Sequence, residues 1–190
     1  HDLGDEQERS TSIPNLLYAG SLYESRSLMP VIEAIERLDD RAPQVMVEVF
    51  GQIDRRAQEY LNKRPLPAHR FRQHGRVGAR EIGARLRGAR ALLLVIGRDY
   101  KAALSAKIFD YLAAGRPIIG IGPQGAAAQM LIETHRLGRW VDEEQVDTLY
   151  EVLLDIAHDR LPRPTAEDVN PLHARRMSEQ IATLLDHVVS

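Results

Sequence analysis

Ala91-Leu-Leu-Leu-Val-Ile96 and Pro117-Ile-Ile-Gly-Ile121 are two short apolar runs with no polar residue between their apolar ones. A strand with one face in water alternates apolar and polar side chains, whereas a strand covered on both faces does not. Both runs therefore predict central strands of a parallel sheet sandwiched between helices. Between them, residues 105–114 carry helical spacing and stop at Gly115, a residue suited to a left-handed cap. Upstream, Leu16-Leu-Tyr-Ala-Gly20, Val45-Met-Val-Glu-Val-Phe50 and residues 70–74 predict three more strands, and Arg139-Trp-Val141 a further one. Helical periodicity over residues 28–38, 54–63, 81–87, 124–135 and 146–157 falls between or after them, with Asp54 as the N-cap of the second helix. Leu161-Pro-Arg-Pro164 breaks the chain, and residues 171–188 predict a closing helix. This alternation predicts an α/β fold: a Rossmann-like, doubly wound parallel sheet of about six strands with helices on both faces. Ligands of such sheets bind at the carboxyl ends of the strands, near the switch in strand order. The turns after Gly20, Phe50, His74 and Ile96 are therefore the places to look.

Composition narrows the function. Apolar residues make up 44% and charged residues 27% of the 190, an ordinary balance for a soluble chain able to bury its own core. A formal net charge of −2 gives no basis for a general nucleic-acid or membrane-surface partner. The absence of cysteine excludes disulfides, thiolate metal sites and cysteine nucleophiles. No apolar run approaches the roughly 20 residues that span a bilayer. Residues 1–12 are polar and predict a linker, with one domain over 13–190. The chain opens on His1 rather than Met, so it reads as part of a longer protein, cytoplasmic or held at the cytosolic face of a membrane by the remainder. The histidines show no metal-binding spacing, and no metal is expected. No Gly-x-Gly-x-x-Gly follows the first strand and no Gly-Lys-Ser/Thr occurs, which argues against a dinucleotide oxidoreductase and a phosphate-loop NTPase.

The chemistry concentrates in Ser105-Ala-Lys-Ile-Phe-Asp-Tyr-Leu-Ala-Ala-Gly-Arg-Pro-Ile118. A helix that begins near Ser105 after a buried strand presents unpaired N–H groups from Ser105, Ala106 and Lys107, and such termini bind phosphate. Lys107 adds a full positive charge in the first turn, where it does nothing for the helix dipole. Asp110 follows one turn later on the same face, and a carboxylate accepts both hydroxyls of a ribose diol. Together they predict a nucleotide clamp. Phe109, Tyr111 and Leu112 read as packing residues, and Glu133 and Arg116 as surface residues.

The same stretch resembles the carboxy-terminal, donor-binding domain of GT-B-fold glycosyltransferases of group 1 (family 4). That family carries two glutamates eight residues apart, then small residues, glycine, any residue and proline. Asp110 falls on the second glutamate, with Ala113-Ala-Gly-Arg-Pro117 matching the tail. The first glutamate, which touches the donor sugar, falls on Ala102. Leu17-Tyr-Ala-Gly-Ser-Leu22 resembles the opening strand and the glycine loop that approaches the diphosphate: Ser21 replaces the family's arginine, and Arg26 stands for its lysine. His74-Gly-Arg-Val77 resembles the segment that holds the base, and Glu133 with Leu137-Gly-Arg-Trp-Val141 the segment that closes the domain.

The resemblance implies a domain that grips a UDP- or GDP-sugar through Gly20, Ser21, Arg26, Val77, Ser105, Ala106, Lys107 and Asp110. Lys107 and Arg26 would stabilise the leaving diphosphate without a metal cofactor, as preorganised electrostatic donors. The acceptor, and any base acting on it, would come from an amino-terminal domain outside this chain, so that the chain binds donor without transferring sugar. Two alternatives stay open: an isomerase of the nucleotide-sugar 2-epimerase kind, and a non-catalytic binding module, motivated by Ala102 and Ser21.

Overall fold

The computed structural model describes residues 13–23, 25–169 and Leu172. The expected linker over 1–12 and the expected helix over 171–188 lie outside the described residues, apart from Leu172. Six strands form: β1 (Asn15–Ala19), β2 (Met46–Phe50), β3 (Phe71–His74), β4 (Ala91–Val95), β5 (Ile118–Ile121) and β6 (Gly138–Val141). The helices are α1 (Met29–Glu36), α2 (Arg55–Lys63), α3 (Ala79–Gly88), α4 (Lys107–Ala114), α5 (Ala127–Thr134), α6 (Val146–Ala157) and the short α7 (Ala166–Val169). Every strand pair is parallel, in the order β3-β2-β1-β4-β5-β6. This is the doubly wound order of dinucleotide-binding folds, with its switch point between β1 and β4.

Successive strand residues point to opposite faces, and each face has its own helical cover. Leu16, Tyr18, Val47, Val49, Leu93, Val95, Ile119 and Ile121 pack with Ile32 and Ile35 of α1, Ala57 of α2 and Val152 and Ile156 of α6. Leu17, Phe50, Leu92, Leu94, Ile118 and Trp140 pack with Leu86 of α3, Ile108 and Tyr111 of α4 and Leu131 and Ile132 of α5. All five residues of β4 are buried, as its lack of alternation demands.

Local signals explain most boundaries. Asp54 caps α2 by accepting from the Ala57 N–H and also accepts from Leu28 N–H, which ties α1 to α2. Gly115 ends α4 in the left-handed conformation, φ 62°. Three helices start elsewhere than periodicity predicts. The first, α3, begins two residues earlier, at Ala79. In α4, the amides of Ile108 and Phe109 bond back three residues, to the carbonyls of Ser105 and Ala106. Those two residues form a tight turn that delivers the chain into a helix beginning at Lys107. Likewise α5 begins at Ala127, after Gln124 and a left-handed Gly125, whose amide donates to the Gln129 side chain.

Candidate functional site

The site grows out of a parting of strands. β1 and β4 are in register only at Leu16↔Ala91 and Leu17↔Leu92; beyond that they separate. Parting leaves the Ala19 N–H and the Leu93 C=O without ladder partners, and a buried unpaired backbone group is costly. The hydroxyl of Tyr111, from α4, fills the seam: it accepts from Ala19 N–H at 3.3 Å and donates to Leu93 C=O at 2.9 Å. Burial pushes this hydroxyl well above the usual tyrosine value, so it stays neutral and keeps both bonds. Tyr111 does pack as the sequence predicts, but its polar end wedges the crevice open.

The next residue, Gly20, has φ +127°, a conformation that only glycine adopts without strain. Its amide donates to Phe50 C=O at 2.8 Å, and the space a β-carbon would take is occupied by Lys107. The Lys107 ammonium donates to the Tyr18 hydroxyl at 3.1 Å and lies 5.0 Å from the centre of that ring. Tyr18 in turn donates to Ser21 C=O at 3.2 Å. Burial holds the Tyr18 hydroxyl well above its usual value, although the charge of Arg26 opposes the shift. Burial, and after it the nearby charge of Arg26, holds the Lys107 ammonium below the usual lysine value. Fold geometry thus brings Gly20, Ser21, Arg26 and Lys107 to one place, at the switch point where such sheets take ligands.

Arg26 is placed by aromatic rings. Its guanidinium lies 4.7 Å from the ring centre of Tyr23 and 4.6 Å from that of Tyr100, and its Nε is buried without a hydrogen-bond acceptor. Among the described residues neither Arg26 nor Lys107 forms an ion pair with a carboxylate. Two cations held close with no anionic partner can hold an anion between them. At the same place α4 starts with no side-chain cap, and no described residue accepts from the amides of Ser105, Ala106 and Lys107. These donors are themselves the positive end of the helix dipole.

Asp110 is exposed one turn along from Lys107. Both border a cleft of about 270 Å³ between α3 and α4, whose walls include Ala19, Ala79, Ile82 and Gly83. Val77 does not line this cleft; it is half-buried and packs on the core that α3, α4 and α5 share. Phe109 corrects another expectation: it is 42% exposed rather than packed, because it sits on the outer side of α4, away from Ile108 and Tyr111. Glu133 is a surface residue, accepting from Gln129. Sequence reasoning missed Tyr18, Tyr23 and Tyr100 altogether. The nearest signal for them is the density of tyrosine beside Gly20 and after Ile96. Among the described residues no three His, Asp or Glu side chains converge as metal ligands, and no helix is long and apolar enough to cross a membrane.

A parallel sheet in this order, with a cationic, glycine-floored crevice at its switch point, defines a Rossmann-like α/β domain with a candidate ligand site at the carboxyl ends of its strands. Residues 13–159 match the sequence profile of the group 1 glycosyl transferases, and the chain belongs to that family. Solved GT-B glycosyltransferases share its fold. The lipopolysaccharide outer core galactosyltransferase WaaB superimposes with a TM-score of 0.68 at 12% identity, over 94% of this chain and 50% of its own. The C-terminal domain of the group 1 family glycosyltransferase LpcC from Francisella tularensis superimposes with a TM-score of 0.57 at 17% identity, over 81% of this chain and 80% of its own. The pneumococcal O-GlcNAc transferase GtfA, solved with UDP and GlcNAc, gives a TM-score of 0.57 at 14% identity, over 90% of this chain and 36% of its own. The chain thus spans about half the length of WaaB. No curated protein matches it.

Proposed function

We propose that this domain binds the nucleotide-diphosphate-sugar donor of a glycosyltransferase acting in polysaccharide or glycoconjugate synthesis. The observation that carries the reading is the pair Lys107 and Arg26, two half-hidden cations at the switch point with no carboxylate partner among the described residues, Lys107 lying directly over Gly20. The diphosphate lies against Gly20, Ser21 and the amides of residues 105–107, between the two cations. The ribose hydroxyls reach Asp110, with the nucleoside in the cleft between α3 and α4 and the base towards residues 74–77. A fold neighbour solved with UDP is in keeping with a nucleoside diphosphate as the ligand.

In the transfer step the bond between sugar and diphosphate breaks, and negative charge grows on the departing phosphate oxygens. Lys107, Arg26 and the helix amides are already oriented towards that charge, so they stabilise it without reorganising and without a metal ion. The acceptor hydroxyl and any base that takes its proton belong to a second domain, so this chain binds donor without transferring sugar. The protein works in the cytoplasm or at the cytosolic face of a membrane.

The test is calorimetric titration of the chain with UDP, GDP and ADP beside a Lys107→Ala variant. A charge-assisted phosphate contact is worth roughly 1.5–3 kcal/mol, so the variant binds on the order of tenfold more weakly, or worse. Failure of the folded wild type to bind any of the three overturns the reading. Robust sugar transfer by this chain alone would overturn the division of labour.

A further inference from the structure

Arg70 and Arg98 are both held by oxygen acceptors. The buried Arg70 donates to the carbonyls of Asp39, Ala42 and Pro43, and Arg98 pairs with Glu143 and Glu144. Arg26 is different: two tyrosine rings flank its guanidinium at nearly equal distances, and no carboxylate engages it among the described residues. The rings come from different parts of the chain. Tyr23 belongs to the loop after β1, whereas Tyr100 ends the short 3₁₀ turn Arg98–Tyr100 after β4. The two loops also interlock at Gly97. A β-carbon there would sit 3.1 Å from the Ser25 carbonyl carbon and closer still to its hydroxyl, so only glycine lets the chains approach.

We infer that Tyr23 and Tyr100 are positioning residues, which hold Arg26 at the crevice by ring stacking and so join the two loops into one diphosphate-gripping unit. This rests on the donor-site reading above. The physical logic is a choice of partner. A carboxylate would hold Arg26 as firmly, but it would cancel the charge and compete with the phosphate for the same N–H groups. An aromatic face attracts the guanidinium plane and leaves its N–H edge free for an anion. The stacking also keeps Arg26 near Lys107, a repulsion that an anion relieves. Because Tyr100 lies on the segment leading to residues 101–106, ligand contact on either loop settles the other.

The experiment compares Tyr100→Leu, Tyr23→Leu, Tyr23→Phe and Arg26→Leu with wild type in the 190-residue chain. Two readouts are taken: UDP and inorganic pyrophosphate affinity by calorimetry, and the titration of the Lys107 side chain by NMR without ligand. Loss of a ring leaves Arg26 free to turn into solvent. Tyr100→Leu and Tyr23→Leu are each expected to weaken both ligands on the order of fivefold to tenfold. Both, like Arg26→Leu, also shift the Lys107 titration upward towards an ordinary lysine. Tyr23→Phe keeps the ring and stays near wild type in both readouts. Wild-type affinity and an unmoved Lys107 titration in a folded Tyr100→Leu protein would refute the inference. If wild type binds no diphosphate, the donor reading falls. The NMR titration then decides the ring clamp alone: an upward shift in Tyr100→Leu sustains it, and no shift removes it.

Discussion

Replacing Gly20 with alanine should separate what the glycine does for folding from what it does for binding. Two effects act at this position. First, φ +127° is strained for any residue with a β-carbon, at a cost of about 1–3 kcal/mol. In a domain of this size that lowers the melting temperature by roughly 2–4 °C per kcal/mol. Second, the new methyl group would lie 2.8 Å from the Lys107 ammonium and nearer still to the carbon beside it. That atom is the end of a flexible side chain, so it swings aside at little cost to folding. Swinging aside, however, breaks the 3.1 Å bond to Tyr18 and removes the charge from the crevice. The expected result is modest destabilisation with UDP affinity reduced on the order of tenfold or more. Gly51→Ala is the contrast: its β-carbon would meet the Gly20 carbonyl itself, 2.8 Å from the carbonyl carbon and closer to the oxygen. Backbone must then move, so stability suffers more. Calorimetry and thermal melts of Gly20→Ala, Lys107→Ala and the double variant form a cycle. If both act through the ammonium, the double variant binds no worse than Lys107→Ala alone. Full wild-type affinity in Gly20→Ala, or strictly additive losses in the double variant, would refute this account.

Tyr111→Phe deprives the Ala19 N–H and the Leu93 C=O of their shared hydroxyl, which should cost about 1–3 kcal/mol; an unchanged urea-unfolding midpoint would show that the seam closes without it. Asp110→Ala should weaken UDP yet leave pyrophosphate binding intact, because the carboxylate serves the ribose; equal loss for both ligands would place Asp110 elsewhere. The pH dependence follows from the buried groups. Tyr18 and Tyr111 have folded-state values raised above 10.0, so their contribution is complete below pH 10 and drains away as pH rises beyond it. Lys107 is lowered from 10.5, so it costs stability while both states are charged, and that cost fades as pH climbs towards 10.5. Lys107→Met should therefore stabilise the empty domain near neutral pH, with a gain that shrinks by pH 10.5; a gain independent of pH would contradict the assignment.

The sheet was legible because its central strands are buried on both faces, and a run such as Ala91-Leu-Leu-Leu-Val-Ile96, closed by Gly97, has strand rather than helix length. α6 was legible to the residue, since its apolar spacing and the loops around it agree. The start of α4 was misplaced by two residues because a 3₁₀ turn and a helix share periodicity over so short a span. Lys107 stood out because a lysine in the first turn does nothing for the helix dipole, and Asp110 because it follows one turn later on the same face. Tyrosines were harder. A tyrosine inside an apolar run looks like a packing residue, and nothing local shows that Tyr111 reaches two strands at once. The stacking of Tyr23 and Tyr100 on Arg26 depends on two loops far apart in sequence meeting in space. Phe109 was misjudged for the opposite reason, an apolar residue on the outer side of its helix.

The hydroxyl that props the seam, the carboxylate at the cleft and the ammonium over Gly20 all ride on a single helix, at positions 111, 110 and 107. That helix acts as a ruler shared by fold and site. Adding or removing one residue between 107 and 111 turns everything beyond it by about 100°, so the phosphate end and the strand wedge could no longer both be correct. The stretch from 102 to 104, between the Lys101 carbonyl that holds Ala127 and the turn at Ser105, carries no such gauge. Changes of length among related chains should therefore gather before Ser105 and stop there, which marks that residue as the boundary between what may be edited freely and what may not.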